Sequence, residues 1–356
     1  MVSHACVLAA NQQVYADVAS RGPSVHLIVP KRWVNQYEPD GFDAEMLPSL
    51  GGHITRLAVL GKGRPQRHVY AARCANVLRR LSPSAMLIEE EPFSVAALQW
   101  SWAARRANVP FGVQVAETLD RGLPEPARRW RRVVLSHAAF VVARSPAAAG
   151  LARRWGATGE VSVITHSVDE PPERPMPAGP FTVAYVGRLD EEKGIEDLLD
   201  AFASLEVEAR LVVAGDGPLR GRVERAGQRV QLLGAVPHDS VGDVYAMADL
   251  TCVPSRTTPT WEEQFGRVLV ESLAHGVPVL ATTTGSIPWV VAQTGGAVLV
   301  AERDPGALAR AITERVLDRR GTALMGHEAR PRALASFSNP AVATSLVALL
   351  ERVSER

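Results

Sequence analysis

The sequence predicts an α/β protein made of two doubly wound halves. Three observations predict it. Short apolar runs alternate with helix-like patterns along the whole chain. A proline-rich run falls near its middle. The length, 356 residues, suits two domains of ordinary size. In the first half the strand-like runs are Cys6–Ala9, Val25–Val29, Met86–Ile88, Phe111–Val115, Phe140–Ala143 and Ser162–Thr165. In the second they are Val183–Val186, Leu211–Ala214, Val230–Leu233, Leu250–Val253, Val277–Ala281 and Ala297–Val300. Helical spacing of apolar residues lies between them, as in Ala71–Leu81, Val95–Ala107, Ile195–Leu205 and Gly266–His275. Strands that are apolar throughout, rather than alternately, are covered on both faces, which is the mark of a parallel sheet between helices.

The run from Glu170 to Pro180 holds Pro171, Pro172, Pro175, Pro177 and Pro180. So many prolines exclude a helix or a central strand. The expected organisation is a first domain over 1–170, a linker over 171–180 and a second domain over 181–338. A final helix over 339–356 opens at Asn339-Pro340 and is free to pack back on the first domain. Two doubly wound domains so joined are expected to face a central cleft, lined by the carboxyl ends of their strands.

Composition excludes several classes. With 46% hydrophobic and 22% charged residues, the chain is neither disordered nor fibrous. Its longest apolar runs fall far short of the roughly 20 residues that span a bilayer. The start, MVSHACVLAANQQ, lacks the basic, apolar and small-residue parts of a secretory signal, so the expected location is cytoplasmic. A net charge of +1 argues against nucleic acid as a partner. Cys6, Cys74 and Cys252 have neither disulfide nor zinc spacing and sit in apolar stretches, as small buried residues do. Lysine occurs only at positions 31, 62 and 193, so a lysine inside a motif stands out.

Two stretches of the second half carry chemistry. In Tyr185-Val-Gly-Arg-Leu-Asp-Glu-Glu-Lys-Gly194 a strand ends at Gly187, a turn bears Arg188 and Lys193, and a helix opens near Gly194. Helix N-termini attract anions. An Arg fork beside a Lys point charge suits a diphosphate. A surface turn of solvated charges reads the same way, and Asp190, Glu191 and Glu192 offset the cations. The second stretch, Trp261 to Val279, sets Glu263 before Phe265-Gly266, where a helix opens, and Glu271 within that helix, which Gly276 ends. Glu271 lies among Val268, Leu269, Val270 and Leu273. A carboxylate so placed needs hydrogen-bond donors, and sugar or ribose hydroxyls would supply them.

Together with Leu233-Gly-Ala-Val-Pro237, Ala248-Asp249 and Pro254-Ser255, these stretches resemble the family 4 glycosyltransferases, retaining enzymes of the GT-B fold marked by a Glu-x7-Glu segment. The resemblance is strong from Phe181 to about Val300, weaker from Pro83 to Asp169 and poor in the first 80 residues. It implies transfer of a sugar from a nucleotide-diphosphate sugar, with UDP ahead of GDP as the base, to an acceptor that is a small molecule, a glycan or a lipid. By that resemblance Arg188 and Lys193 hold the diphosphate and Glu263 binds donor-sugar hydroxyls. Backbone at Gly187, Phe265, Gly266 and Arg267 faces sugar and phosphate, Glu271 binds the ribose, and Gly234, Ala235 and Val236 contact the base. No cofactor is implied, and no acidic metal-ligand motif is present, so a metal is not expected. A nucleotide-sugar epimerase of the same fold and a non-catalytic sugar-nucleotide-binding subunit are the alternatives.

The first half departs from the family pattern. Ala9-Ala-Asn-Gln-Gln13 stands where a glycine-rich loop is usual. Ala116-Glu117-Thr118 follows a strand where a histidine is usual. Glu117, or Glu91 at the end of another strand, then becomes the acceptor-side candidate, against the plainer reading of each as a solvated loop acid. His166 and Ser167 replace Asn and Gly ahead of the linker, His166 reading as structural, and Trp289 replaces a Glu. Two basic stretches, Arg64 to Arg80 and Arg128 to Arg132, are read as solvated helix faces, with peripheral contact to anionic lipid as the less favoured reading.

Overall fold

The computed structural model describes residues 1–34, 40–174 and 178–354. Pro175, Met176 and Pro177 of the proline-rich run lie outside the described residues, as do the last two residues of the final segment. The chain divides into two compact units, Met1–Thr165 with Asn339–Arg356, and His166–Ser338. The division falls between Thr165 and His166, ahead of the prolines.

In the first unit Met86–Ile88, Phe111–Val115, Phe140–Ala143 and Glu160–Val163 form a parallel sheet in sequence order. Leu27–Pro30 pairs with Ile54–Leu57, also in parallel. Val2 joins the two pieces through parallel bridges to Ile28 and Ile88. It thereby serves as a first strand one residue long. The expected strand over Cys6–Ala9 does not form. Ala5–Val7 and Ala9–Gln12 are 3-10 turns. The hydroxyl of Ser3 accepts the amides of Ala5 (3.1 Å) and Cys6 (3.2 Å), and such local bonds divert backbone from a ladder. Cys6 and Val7 are still buried, so their apolar character served a packed turn. Of the remaining helices, Val95–Ala107 shows how locally the ends are set. The Ser94 hydroxyl accepts the Ala97 amide at its start, and Asn108 closes it in the left-handed region. The final helix, Asn339–Ser354, lies against Gln13–Ala19. It places Val342, Ala343, Leu346 and Leu349 in the core of this unit.

The second unit has six parallel strands in the order Val230–Gly234, Arg210–Ala214, Thr182–Val186, Leu250–Val253, Val279–Thr282, Ala297–Val300. This is the doubly wound order in which the chain reverses direction beside its first strand. Leu250–Val253 and Val279–Thr282 are buried at every position, which is why they read as largely apolar runs, Thr251 and Thr282 aside. The fifth strand starts at Val279 rather than Val277 because Pro278 has no amide to give the ladder. Phe265 packs on Phe337 with ring centres 5.5 Å apart, and Trp289 packs on the same ring at 6.3 Å. No described helix is long and apolar enough to cross a membrane.

Candidate functional site

In a doubly wound sheet the crevice lies at the carboxyl ends of the two strands where the winding reverses. In the second unit these are Thr182–Val186, which runs into Gly187-Arg188, and Leu250–Val253, which runs into Pro254-Ser255. The candidate residues gather there. The Lys193 ammonium donates to Glu263 Oε2 at 2.7 Å and lies 4.6 Å from the centre of the Trp261 ring. The Ser255 hydroxyl donates to the same oxygen at 3.1 Å, and the Gly266 amide to Glu263 Oε1 at 3.2 Å. Glu263 is buried and yet wholly satisfied by donors, as a buried carboxylate must be. Beside it, Asp190 ties the two cations to one turn. Its Oδ1 accepts the Lys193 amide and its Oδ2 pairs with Arg188, each at 3.1 Å. Glu192 also pairs with Arg188, at 3.1 Å. The Arg188 side chain remains 41% exposed, so it can exchange these partners for an arriving anion at small cost.

Backbone geometry makes room for this cluster. Gly194 caps the helix Ile195–Ala203 at φ +66°, and a Cβ there would collide with the Pro254 carbonyl. Gly285 at φ +52° packs in the same way on the Glu263 carbonyl, which also accepts the Ser286 amide at 2.8 Å. Both positions combine a positive φ with the absence of space, so only glycine fits. Along the neighbouring strand ends, the Gly215 amide donates to Gly234 (2.7 Å) and the Gly187 amide to Ala214 (3.0 Å). Gly187 and buried Gly234 are thus held along neighbouring strand ends, and exposed Ala235 and half-buried Val236 follow.

The helix Arg267–Ala274 carries the second carboxylate. Glu271 accepts from Tyr245 Oη at 3.0 Å and from Arg267 Nε at 2.7 Å. The expected need for donors is therefore met by the protein's own side chains. Phe265, whose backbone was the expected contact, turns its ring into the core beside Phe337 and His166. His166 accordingly sits in a packed setting. Sequence reasoning missed Asp190 as a bridge and passed over Ser255, Trp261 and Tyr245. The aromatics carried no signal beyond being large residues near charged ones, whereas Asp190 was visible three residues before Lys193, at capping distance.

Glu91 and Glu117 come together in the first unit. Glu91 Oε1 accepts the amides of Ala116 (2.8 Å) and Glu117 (3.1 Å). Its Oε2 is out of contact with solvent and has no hydrogen-bond partner. Burial, and then the charge of Glu117, push the Glu91 carboxyl up to about 8. Glu117 is buried against Arg121, with which it forms an ion pair. Neither acid is the solvated loop residue that the plainer reading expected. Among the described residues no group of three or more His, Cys, Asp or Glu is arranged to hold a metal ion.

Residues 169–332 match the family described as Glycosyl transferases group 1. A GDP-mannose-dependent alpha-(1-6)-phosphatidylinositol dimannoside mannosyltransferase of Mycobacterium tuberculosis is 35% identical over 136 residues, covering 36% of this chain and 34% of that protein. A D-inositol 3-phosphate glycosyltransferase of Corynebacterium glutamicum is 32% identical over 189 residues, 49% of this chain and 44% of that protein. The chain thus spans less than half the length of either curated relative. The crystal structure of HepE from Anabaena in complex with UDP-glucose matches over 99% of this chain and 98% of that one, with a TM-score of 0.75 at 18% identity. The fold is GT-B: α/β, with two Rossmann-like units.

Proposed function

We propose that this protein is a retaining glycosyltransferase of family 4 that moves a sugar from a nucleotide-diphosphate sugar to an acceptor hydroxyl without a metal ion. The observation that carries the reading is the Arg188–Asp190–Lys193–Glu263 cluster at the winding reversal of the second unit, inside the stretch that matches Glycosyl transferases group 1. Breaking the anomeric C–O bond builds negative charge on the departing diphosphate and positive charge on the sugar ring. Two cations fixed beside the diphosphate stabilise that separation more than they stabilise the bound donor. Arg188 and Lys193 fill that role once the donor replaces their present carboxylate partners. Glu263, released from Lys193, accepts from the donor-sugar hydroxyls. Glu271 takes the ribose, exchanging Tyr245 or Arg267 for its hydroxyls, and the backbone at Gly234–Val236 meets the base. The acceptor hydroxyl attacks on the face from which the phosphate leaves, and the diphosphate takes its proton. Glu91 and Glu117 orient the acceptor, a small molecule, a glycan or a lipid.

UDP stands first as the base because the Anabaena protein is seen with UDP-glucose, with GDP second because the mycobacterial relative is named for GDP-mannose. Three free, buried cysteines fit the reducing cytoplasm. The test is calorimetric titration with UDP-glucose and GDP-mannose, followed by assay of UDP or GDP release, for the native chain and for Glu263→Gln. Saturable binding with a release rate that falls at least a hundredfold in the variant is the expected result. Binding with no turnover in the native chain, with or without an acceptor panel, would turn the reading to a binding subunit. Formation of an isomeric nucleotide sugar would turn it to an epimerase.

A further inference from the structure

The second unit contains a recess of about 400 Å³ at the far end of the helix Arg267–Ala274 from Gly266. Eight helical residues put it roughly 12 Å along the axis from the cluster described above. Three guanidinium groups line it, from Arg174, Arg320 and Arg330. Their partners are unusual. Arg174 donates to the carbonyls of His275 (3.1 Å) and Ala246 (3.4 Å), and Arg330 to those of Ala274 (2.9 Å) and Pro171 (2.6 Å). Among the described residues, none of the three guanidinium groups forms an ion pair with a carboxylate, and that of Arg320 forms no hydrogen bond either. Asp249, whose charge reaches Arg174, is itself held by two bonds from Arg319, at 2.7 and 3.0 Å. Glu173 is the one acid in the lining, with His327 3.1 Å away, and it pairs with none of the three guanidinium groups.

The carbonyls at the helix end supply partial negative charge to Arg174 and Arg330, which accounts for their positions. A helix terminus carries only about half an elementary charge, so even with the one Glu173 carboxylate the compensation falls short of three guanidinium charges lining one hollow. A hollow that concentrates uncompensated guanidinium groups is complementary to an anion with several acceptor oxygens. Ala323 and the exposed Leu324 give the same recess an apolar side.

We propose that this recess is a second anion site, distinct from the donor cluster, which takes a phosphate group carried on a small molecule or on a lipid head group. Arg320 is the residue to vary, since it is exposed and holds no part of the fold in place. The experiment titrates the full chain with inorganic pyrophosphate by calorimetry, in native, Arg320→Glu and Arg188→Gln forms, and measures flotation with vesicles containing phosphatidic acid. The expected result is a binding event that weakens at least tenfold in Arg320→Glu, the scale of losing one charge-assisted bond, and survives in Arg188→Gln. Pyrophosphate binding of this kind without flotation assigns the site to soluble phosphates. Flotation lost in Arg320→Glu assigns it to a lipid head group. Binding that is abolished by Arg188→Gln and untouched by Arg320→Glu belongs to the donor cluster and overturns the proposal, as does the absence of both pyrophosphate binding and flotation. Failure of the donor reading would leave the Arg320-dependent event in place, so the two outcomes are separable.

Discussion

The two units share a winding order but end their central strands in opposite ways. In the second, the strands at the reversal finish in Gly187-Arg188 and Pro254-Ser255. Their ion pairs stay partly open, with the Arg188 side chain 41% and Lys193 24% exposed. In the first, the equivalent strands are the single residue Val2 and Met86–Ile88, which lead to His4 and to Glu89, Glu90 and Glu91. There the protein fills the position with its own side chains. Glu89 accepts from Arg144 (2.6 Å) and Tyr15 (2.8 Å), and Glu90 meets His4 (2.7 Å) and His68 (3.6 Å). Arg144 is 4% exposed, and the Glu90 side chain 1%. Burial depresses the His4 pKa, but the charge and hydrogen bond of Glu90 outweigh it and the net shift is upward. For His68 burial prevails and the shift is downward. Thus one topology carries two kinds of charge: partly exposed, exchangeable ions at the second reversal, and a sealed network around Glu89 and Glu90 at the first.

The sharpest way to break this comparison is to remove an arginine from each reversal. Arg188→Met is expected to lower the rate of nucleotide release by 10²- to 10³-fold, about 3–4 kcal/mol in the barrier, with an unchanged urea midpoint. A large loss of stability without loss of rate would show that the second reversal is structural too. Arg144→Met should do the converse. It leaves Glu89, largely shielded beside Tyr15, without its cation, and a loss on the order of 3 kcal/mol is expected in urea unfolding. A variant as stable as the native chain would show that the first reversal is not sealed.

Glu91 offers a pH test at the edge of that sealed network. Its folded pKa, about 8, lies above the ordinary carboxyl value, so the folded state holds a proton that the unfolded state has released. The stabilisation is complete below the unfolded value and is lost as pH rises to and through about 8. The native chain should therefore lose melting temperature between pH 5 and 9 relative to Glu91→Gln, whose amide does not titrate. Parallel pH profiles for the two proteins would contradict the assigned burial. The smallest effect belongs to Tyr245→Phe. Removing one hydroxyl from Glu271 should change nucleotide affinity by about 1 kcal/mol, roughly fivefold. An unchanged dissociation constant would place Glu271 outside the nucleotide contact.

Much of the second unit was legible from its residues. Its strands are buried on both faces and read as apolar runs, and helix starts at Gly194 and Gly266 are marked by glycine itself. Arg188, Lys193, Glu263 and Glu271 stood out because charged residues at strand ends and helix starts interrupt those runs. The first unit was legible in its helices and later strands, while its opening was misread. Cys6–Ala9 is as apolar as a strand, and the diversion by the Ser3 hydroxyl is a competition between bonds that periodicity does not register.

The sequence by itself determined two α/β units with parallel strands, the proline-rich break and the charged residues at the strand ends, because burial on both faces and proline chemistry act locally. Tertiary structure alone decided which charges meet. Lys193 and Glu263 are 70 positions apart, and Arg144 and Glu89 are 55 apart. Whether such a pair stays open to a ligand or is sealed in the core depends on what packs over it, and packing over a pair is set by the winding of the sheet rather than by the neighbours along the chain.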